Sequence, residues 1–319
     1  MLPVAESRIT PFGGGATGPG RRRRGGLILV ATVIVTALLL GHRFIPNVRG
    51  LGSLIDTGAP FLGLGVPLLA VLAALRRSRI ALAAVAVPTV VWVVLFGVSW
   101  WPSGGGGPAR LRVASQNLRA DNPDPAGTVA PLVASGVDLI ALQEVTGGAR
   151  TVLTETLRHE YPYQAVVSTV GLWSRFPIRD EAGVDTGLAW TRALRTVVAA
   201  PDGDVVVYVV HLGSARAGHT SVRDRTVDAL ATRLRSDPAE RLLVLGDLNT
   251  ATTDRVIEPL TELLRDAQAD AGRGPGFTWP APLPVIRPDH VLYRGLTAVS
   301  AEVVRTPASD HRAVTAGFR

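Results

Sequence analysis

Three long runs of uncharged, apolar residues fill most of the first hundred positions and limit what this chain can fold into. They cover residues 26–41, 59–75 and 80–101 of a 319-residue chain. A helix needs about 20 apolar residues to cross a bilayer, and the Gly and Pro residues that interrupt the second run are frequent in transmembrane helices. We therefore predict three transmembrane helices, the last of which ends on Trp100 and Trp101 as an interfacial aromatic belt would.

Arginine sets the expected orientation of these helices. Four consecutive arginines, residues 21–24, precede the first run, and the sequence Arg-Arg-Ser-Arg, residues 76–79, joins the second run to the third. Short basic loops stay in the cytoplasm, so we expect everything after Trp101 to lie outside it. The alternative is a cleaved signal peptide followed by core helices. It is disfavoured because two further apolar runs follow the first, and no small-residue cleavage site stands out.

The chain divides into four regions by composition. We expect a disordered cytoplasmic tail over residues 1–25, a membrane domain over residues 26–101, a Gly-rich linker over residues 102–109 and a folded domain over residues 110–319. The formal net charge of +7 comes from the first part, where ten arginines face two acidic residues; afterwards 23 arginines face 24 acids. A nearly neutral domain without lysine argues against nucleic acid as a partner. The absence of cysteine excludes disulfides and thiolate metal sites.

The folded domain shows short apolar strands that alternate with helical segments. Two of the strands are joined by Pro-Asp-Gly-Asp, residues 201–204, which predicts a hairpin. Residues 221–236 have apolar side chains near helical spacing and predict an amphipathic helix. Several hairpins together with a few helices indicate a mixed α+β sheet class, not a doubly wound parallel sheet.

Polar residues recur at the ends of these strands. The set consists of Asn117, Glu144, His211, Asp247, Asn249, Asp289, Asp310 and His311. Each residue alone is explained by a cap, a turn or a satisfied core histidine, and Asp247 with Asn249 could form an Asx turn or a site. Together they are carboxylates, carboxamides and imidazoles, which suit a hard cation such as Mg²⁺ or Mn²⁺ and the transfer of protons.

The same residues carry a resemblance. In order, the stretches SQNLRADNP, DLIALQEV, WSRFPI, VVHLGSA, VLGDLNT, RPDHVLY and SDHRAV resemble the successive motifs of the endonuclease/exonuclease/phosphatase superfamily, and they span nearly all of residues 110–319. The resemblance implies two packed mixed β-sheets flanked by helices, a four-layer sandwich like that of DNase I, here preceded by three transmembrane helices. It also implies a metal-dependent phosphatase or phosphodiesterase.

The resemblance also implies a role for each matching residue. Glu144 is expected to be the principal ligand of Mg²⁺ or Mn²⁺, with Asn117 and Asp310 near the metal. Asp247 is expected to orient and deprotonate the attacking water, and Asn249 to align that water or donate to the phosphate. His211 and His311, the latter held by Asp289, are expected to contact the phosphoryl oxygens.

The substrate follows from context, because the superfamily acts on nucleic acids and on many smaller phosphoesters. The short linker keeps the domain near the outer leaflet of the cell membrane, where lipid headgroups are concentrated. Three spans followed by this domain resemble the VanJ-type proteins of actinobacteria, which are linked to teicoplanin resistance. We therefore expect hydrolysis of undecaprenyl pyrophosphate or another lipid phosphate. The alternatives are an extracytoplasmic nuclease or nucleotide phosphodiesterase, and a binding module without turnover, which is disfavoured because every motif position is retained.

Overall fold

The N-terminal part of the chain is helical. In a computed structural model, which describes residues 25–101, 105–216 and 218–319, it forms α1 (Gly26–Gly41), α2 (Leu51–Gly58), α3 (Gly65–Leu75) and α4 (Arg79–Phe96). With their flanking 3₁₀ turns, Gly26–Phe44, Val48–Leu75 and Arg79–Phe96 are long and apolar enough to cross a membrane. Apart from Gly25, the expected tail lies outside the described residues, as do residues 102–104 of the expected linker.

Helices α1, α3 and α4 pack against one another through a small apolar core. This core consists of Ile28, Leu69, Ala73, Ala81 and Val85. The outward faces are equally apolar: Leu27 is 85% exposed and Ile80 is 74% exposed. A helix that is apolar all round is typical of a membrane span, so these faces are compatible with a membrane anchor. The orientation across the membrane stays a prediction.

The rest of the chain folds into two sheets of six strands. The strands are β1 (Leu111–Asn117), β2 (Leu139–Gln143), β3 (Tyr163–Val167), β4 (Val170–Ser174), β5 (Ile178–Gly183), β6 (Ala193–Ala200), β7 (Gly203–His211), β8 (Leu242–Asp247), β9 (Arg265–Asp266), β10 (Asp289–Arg294), β11 (Ala298–Val304) and β12 (Ala313–Phe318). Their order is β11-β12-β1-β2-β4-β3 in one sheet and β5-β6-β7-β8-β10-β9 in the other. The helices are α5 (Pro125–Ala134), α6 (Gly147–Leu157), α7 (Ser221–Ser236), α8 (Glu258–Thr261) and α9 (Ala267–Ala271).

The two sheets pack face to face and helices cover their outer faces. Buried residues such as Leu139, Val207 and Leu243 fill the space between the sheets. Helices α5 and α6 cover the outside of the first sheet, and α7 covers the second through Val227 and Leu230. The predicted α+β fold, two mixed sheets between layers of helices, is therefore confirmed.

One edge of this sandwich collects the ends of the central strands. Strands β1 and β2 run parallel, as do β7 and β8, so their carboxyl ends meet at the same edge. The antiparallel neighbours β10 and β12 start at that edge. Register places Asp247 beside both His211 and Asp289. The topology thus gathers residues that are far apart in sequence.

Candidate active site

Asn117, Glu144 and Asp247 meet at this edge. The amide nitrogen of Asn117, the last residue of β1, donates to Glu144 Oε1 at 3.1 Å and to Asp247 Oδ2 at 3.0 Å. The Nε2 atom of His211 lies 3.7 Å from each of the same two oxygens. Two carboxylates therefore converge on one amide and one imidazole, although they come from different sheets.

Two of the site residues have a backbone conformation that is uncommon for their type. Glu144 follows β2 with φ 59°, and Asn249 follows β8 with φ 49°. The backbone N–H of Asn249 donates to Asp247 Oδ1 at 2.8 Å, and its side-chain amide donates to the carbonyl of Leu212 at 3.1 Å. The Asx turn and the site are thus one structure.

His311 forms a buried pair with Asp289. Its Nδ1 lies 2.9 Å from Asp289 Oδ2, and Thr278 Oγ1 donates to the same oxygen at 2.6 Å. Burial disfavours charge on the imidazole, but the Asp289 carboxylate outweighs burial and raises the pKa of His311 to about 10. His311 is therefore a fixed cation at neutral pH.

The imidazole of His211 is neutral, unlike that of His311. Burial lowers the pKa of His211 to about 4, against the opposing charge of Asp247. Burial also raises the pKa of Asp247, and the nearby Asp289 carboxylate acts in the same direction. One edge of the fold thus holds a neutral imidazole, a charged imidazole and a carboxylate that binds protons more readily than usual.

The donor set fits a divalent cation. Asp247, Asp289 and His311 lie together, with one side-chain donor atom of each within 4.8 Å of the others. Because His311 is charged, the carboxylates of Asp247 and Asp289 are the groups of this cluster that could hold a metal ion. Asp289 Oδ1 is buried, and among the described residues it has no hydrogen-bond partner. Oxygen atoms of this kind are the ligands of Mg²⁺ and Mn²⁺. Glu144 adds a further carboxylate, with Oε2 held by the backbone N–H of Ala120 at 2.6 Å.

Two of the three sequence-predicted metal ligands are placed less favourably. Asn117 presents its amide nitrogen, not its oxygen, to the carboxylates. Asp310 is half-buried, its backbone carbonyl accepts a hydrogen bond from Ala281, and it does not line the cavity described below. The ligand roles of Glu144, Asn117 and Asp310 stay predictions, of which Glu144 has the clearest geometric support.

Sequence reasoning missed some residues of the site. Burial lowers the pKa of Arg192, although the nearby charges of Asp247 and Glu144 act in the opposite direction. Thr278 holds Asp289, and Ser309 Oγ donates to the carbonyl of Asn117 at 2.7 Å. Arg192 immediately precedes β6 at the same edge, so the rule that found the other residues, a polar side chain at a strand end, also fits it.

A cavity of about 590 Å³ opens above these residues. On one side it is lined by Glu144, His211, Asp247, Asn249 and His311. Part of the facing wall comes from the N-terminal region, namely Val48, Arg49, Gly50, Leu51, Ser53, Leu54 and Thr57. These residues belong to the stretch between α1 and α3. The active-site cavity is therefore shared between the sandwich and a segment that joins two apolar helices.

Comparisons with known proteins agree with this geometry. The Endonuclease/Exonuclease/phosphatase family matches residues 103–311. No curated protein sequence matches the chain.

Solved structures share the fold at low sequence identity. The D. rerio TDP2 complexed with a single-strand DNA product is 17% identical, with a TM-score of 0.57 over 66% of this chain and 98% of that one. The mannosyl-6-phosphatase of Bacteroides thetaiotaomicron is 16% identical, with a TM-score of 0.57 over 66% and 99%. The Staphylococcus aureus beta toxin mutant with bound magnesium ions is 16% identical, with a TM-score of 0.51 over 66% and 100%.

Proposed function

Because the chain belongs to the Endonuclease/Exonuclease/phosphatase family, we propose that it hydrolyses a lipid-linked phosphate or pyrophosphate at the outer face of the cell membrane. One observation carries the choice of substrate: residues 48–57, which begin a helical stretch, Val48–Leu75, that is apolar enough to span a membrane, form part of the cavity wall. A phosphate that enters the cavity meets this membrane-proximal segment, and lipid headgroups are the phosphates nearest to it. The resemblance to VanJ-type proteins makes undecaprenyl pyrophosphate our preferred substrate, with a link to glycopeptide resistance.

Asp247 is the proposed general base. Its raised pKa suits a group that must take a proton from water near neutral pH. The hydrogen bonds from Asn117 and from the backbone of Asn249 hold both carboxylate oxygens in place. As the water oxygen bonds to phosphorus, Asp247 takes the proton and the bond from phosphorus to the leaving oxygen breaks.

The two histidines are the proposed donors to the phosphoryl oxygens. His311 carries a positive charge that Asp289 fixes in orientation through Nδ1, which leaves Nε2 as the second donor. His211 is neutral and can also donate one hydrogen bond. Donors that are already in place before the reaction supply much of the catalysis of phosphoryl transfer.

Glu144 would hold a divalent cation, Mg²⁺ or Mn²⁺, beside the Asp247 carboxylate that acts as the base, because Asn117 brings the two carboxylates together. When bound, the cation would neutralise charge on the phosphoryl and leaving-group oxygens. Asn117 keeps the two carboxylates together, and the main-chain N–H of Ala120 orients Glu144.

Competing substrates test the proposal. The full-length protein in detergent micelles with Mg²⁺ is offered farnesyl and undecaprenyl pyrophosphate, DNA, RNA and bis(p-nitrophenyl) phosphate. We expect phosphate release from the prenyl compounds and none from the Asp247→Asn variant, which controls for contaminating phosphatases. Cleavage of DNA or RNA with the prenyl compounds left intact would replace this proposal with the nuclease alternative.

A further inference from the structure

The segment between α1 and α3 is fixed to the sandwich by a buried ion pair. Arg255 donates from Nε and Nη2 to the two oxygens of Asp56, at 2.5 and 2.9 Å, and Asp56 is completely buried. The same guanidinium donates to the backbone carbonyls of His42 at 3.0 Å, Arg43 at 3.1 Å and Ile45 at 2.7 Å. A guanidinium saturated in this way holds the segment in one position.

A second contact joins the segment to the loop that carries Asn249. Arg223 is 1% exposed; it forms an ion pair with Asp254 at 2.8 Å and donates to Ser53 Oγ at 3.0 Å and to the carbonyl of Asn249 at 3.3 Å. Gly50 has φ 81°, and a Cβ there would come within 2.4 Å of Thr220. Residues 48–57, which form part of the cavity wall, therefore pack as closely against the sandwich as residues in the interior of the domain do.

The side of this wall that faces the cavity is apolar. Val48 and Leu54 are each 66% exposed and Leu51 is 50% exposed, and all three line the cavity. Trp279 and Ile286 line the same cavity from the sandwich. Apolar side chains that are held firmly in place and still exposed beside a catalytic cluster indicate a binding site for an apolar group.

The apolar surface is continuous with the membrane helices. Phe61, in the 3₁₀ turn that leads into α3, stacks on Phe277 with ring centroids 5.9 Å apart, two residues before Trp279. Arg49 and Arg216 line the same cavity and add positive charge. Arg49 also has φ 51°, a conformation that is concentrated at functional sites. The wall thus combines an apolar face with cations next to a phosphoryl-transfer cluster.

We propose that Val48, Leu51 and Leu54 form a subsite for the hydrocarbon chain of the substrate, so that the enzyme selects substrates by the length of the chain attached to the reacting phosphate. The proposal rests on the proposed function and deepens it. Its occupant is the prenyl chain of a lipid pyrophosphate, because the subsite adjoins both the phosphoryl-transfer residues and the helices that would lie in lipid. The membrane segment is then part of the active site and not only an anchor.

A series of chain lengths tests the subsite. The kcat/KM of the full-length protein is measured for isopentenyl, geranyl and farnesyl pyrophosphate, all with the same headgroup. We expect kcat/KM to rise with chain length in the parent. In the Leu51→Gln/Leu54→Gln variant the ratio of kcat/KM for farnesyl to isopentenyl pyrophosphate should fall at least about tenfold, since burying one leucine side chain contributes that much or more.

Val152→Gln is the matched control. Val152 is 41% exposed on α6 and does not line the cavity, so the substitution should leave the ratio unchanged. If the parent hydrolyses all three pyrophosphates equally well, or if Leu51→Gln/Leu54→Gln keeps the parent's preference for long chains, the subsite is wrong while the proposed function stands. If the parent hydrolyses no prenyl pyrophosphate, both fall.

A measurement on the unaltered protein guards against a variant that does not fold. A prenyl pyrophosphate analogue that carries a benzophenone on its chain is photolysed with the full-length protein, and the labelled peptides are identified by mass spectrometry. Labelling within residues 48–57, reduced by excess farnesyl pyrophosphate, supports the subsite. Competed labelling elsewhere only would overturn it.

Discussion

At the scale of single residues, the site depends on residues whose backbone φ is positive. Glu144 and Asn249 both have positive φ. This conformation costs on the order of 1 kcal/mol for a residue such as Glu, whereas Asn adopts it more readily. Gly246, which pairs with Val210 of β7, has φ 154°, and a Cβ there would come within 1.9 Å of the carbonyl of Val210. Glu144 and Asn249 each follow the end of a strand and line the cavity.

Glu144 and Asp310, both expected from the sequence to lie at the metal, are predicted to contribute differently to metal binding. Glu144→Gln should weaken Mn²⁺ binding by more than the roughly tenfold that loss of an outer hydrogen-bond partner costs. Asp310→Asn should leave binding nearly unchanged, because Asp310 neither lines the cavity nor belongs to the cluster of Asp247, Asp289 and His311. Isothermal titration calorimetry of the full-length protein measures both. EDTA should abolish hydrolysis and Mg²⁺ should restore it; activity that persists in EDTA would contradict a cation-dependent site.

A stability prediction concerns Asp237, far from the site. Burial works against its charge, but hydrogen bonds from Arg195 Nε at 2.7 Å and Tyr208 Oη at 2.6 Å prevail and lower its pKa from 3.8 to about 2. The charged form is therefore favoured in the folded state. The stabilisation, about 2 kcal/mol, is complete above the unfolded pKa and is lost as the pH falls through the folded pKa.

Asp237→Asn should accordingly be less stable than the parent near neutral pH, and the difference should shrink at about pH 3. Thermal unfolding of the full-length protein, followed by tryptophan fluorescence, measures the difference. Asp228→Asn, on the exposed face of α7, is the control and should show little change at either pH. A difference that stays constant with pH would show that the carboxylate charge is not responsible.

At the scale of elements, the sequence predicted the helices and strands whose apolar residues recur along one buried face. The amphipathic helix over residues 221–236 is α7, and the hairpin at residues 201–204 joins β6 to β7. Strand β5, sequence IRDEAG, was missed because it is an exposed edge strand with an irregular register, so its side chains do not alternate between apolar and polar. Helix α2 was missed because it lies between two long apolar runs and reads as a connecting loop.

The residues of the candidate site were also predicted only in part. Motif order found the residues at the strand ends, and the topology explains why they meet. The contact of residues 48–57 with the sandwich was not predicted, because the partners Arg223 and Arg255 lie 170 and 199 positions further along the chain than Ser53 and Asp56. No local pattern of charge or hydropathy predicts a contact between residues so far apart in sequence.

The ion pair that fixes this segment leads to a prediction of its own. Asp56→Asn leaves the guanidinium of Arg255 without its buried carboxylate and should lower the free energy of unfolding by about 3 kcal/mol. Arg255→Gln should do the same, and the double variant should lose less than the sum of the two, as thermal unfolding in a double-mutant cycle can measure.

Glu258→Gln is the control for that cycle. The Arg43–Glu258 pair is 2.8 Å long, but its side chains are 41% and 58% exposed, so its loss should cost less than about 1 kcal/mol. Strictly additive effects of Asp56→Asn and Arg255→Gln would show that the two residues do not stabilise the segment together.

At the scale of the whole molecule, the proposed orientation can be tested because the chain has no cysteine. Ser236→Cys, at the exposed end of α7, should react with a membrane-impermeant maleimide in intact cells. Ser7→Cys, in the tail expected to be cytoplasmic, should react only after the cells are permeabilised. The reverse pattern of labelling would place the cavity inside the cell and remove the source of lipid substrate assumed here.

The contact between Asp56 and Arg255 also decides what a soluble version of this enzyme would be. A fragment that starts at residue 105 keeps the strands and the phosphoryl-transfer cluster, but it loses one side of the cavity. Arg255 would then face water, and the opened cleft would admit phosphoesters of many shapes. Under the proposed function, such a fragment would lose its selectivity for lipid substrates, so activities measured on it would describe the chemistry of the site and not the substrate of the full-length protein.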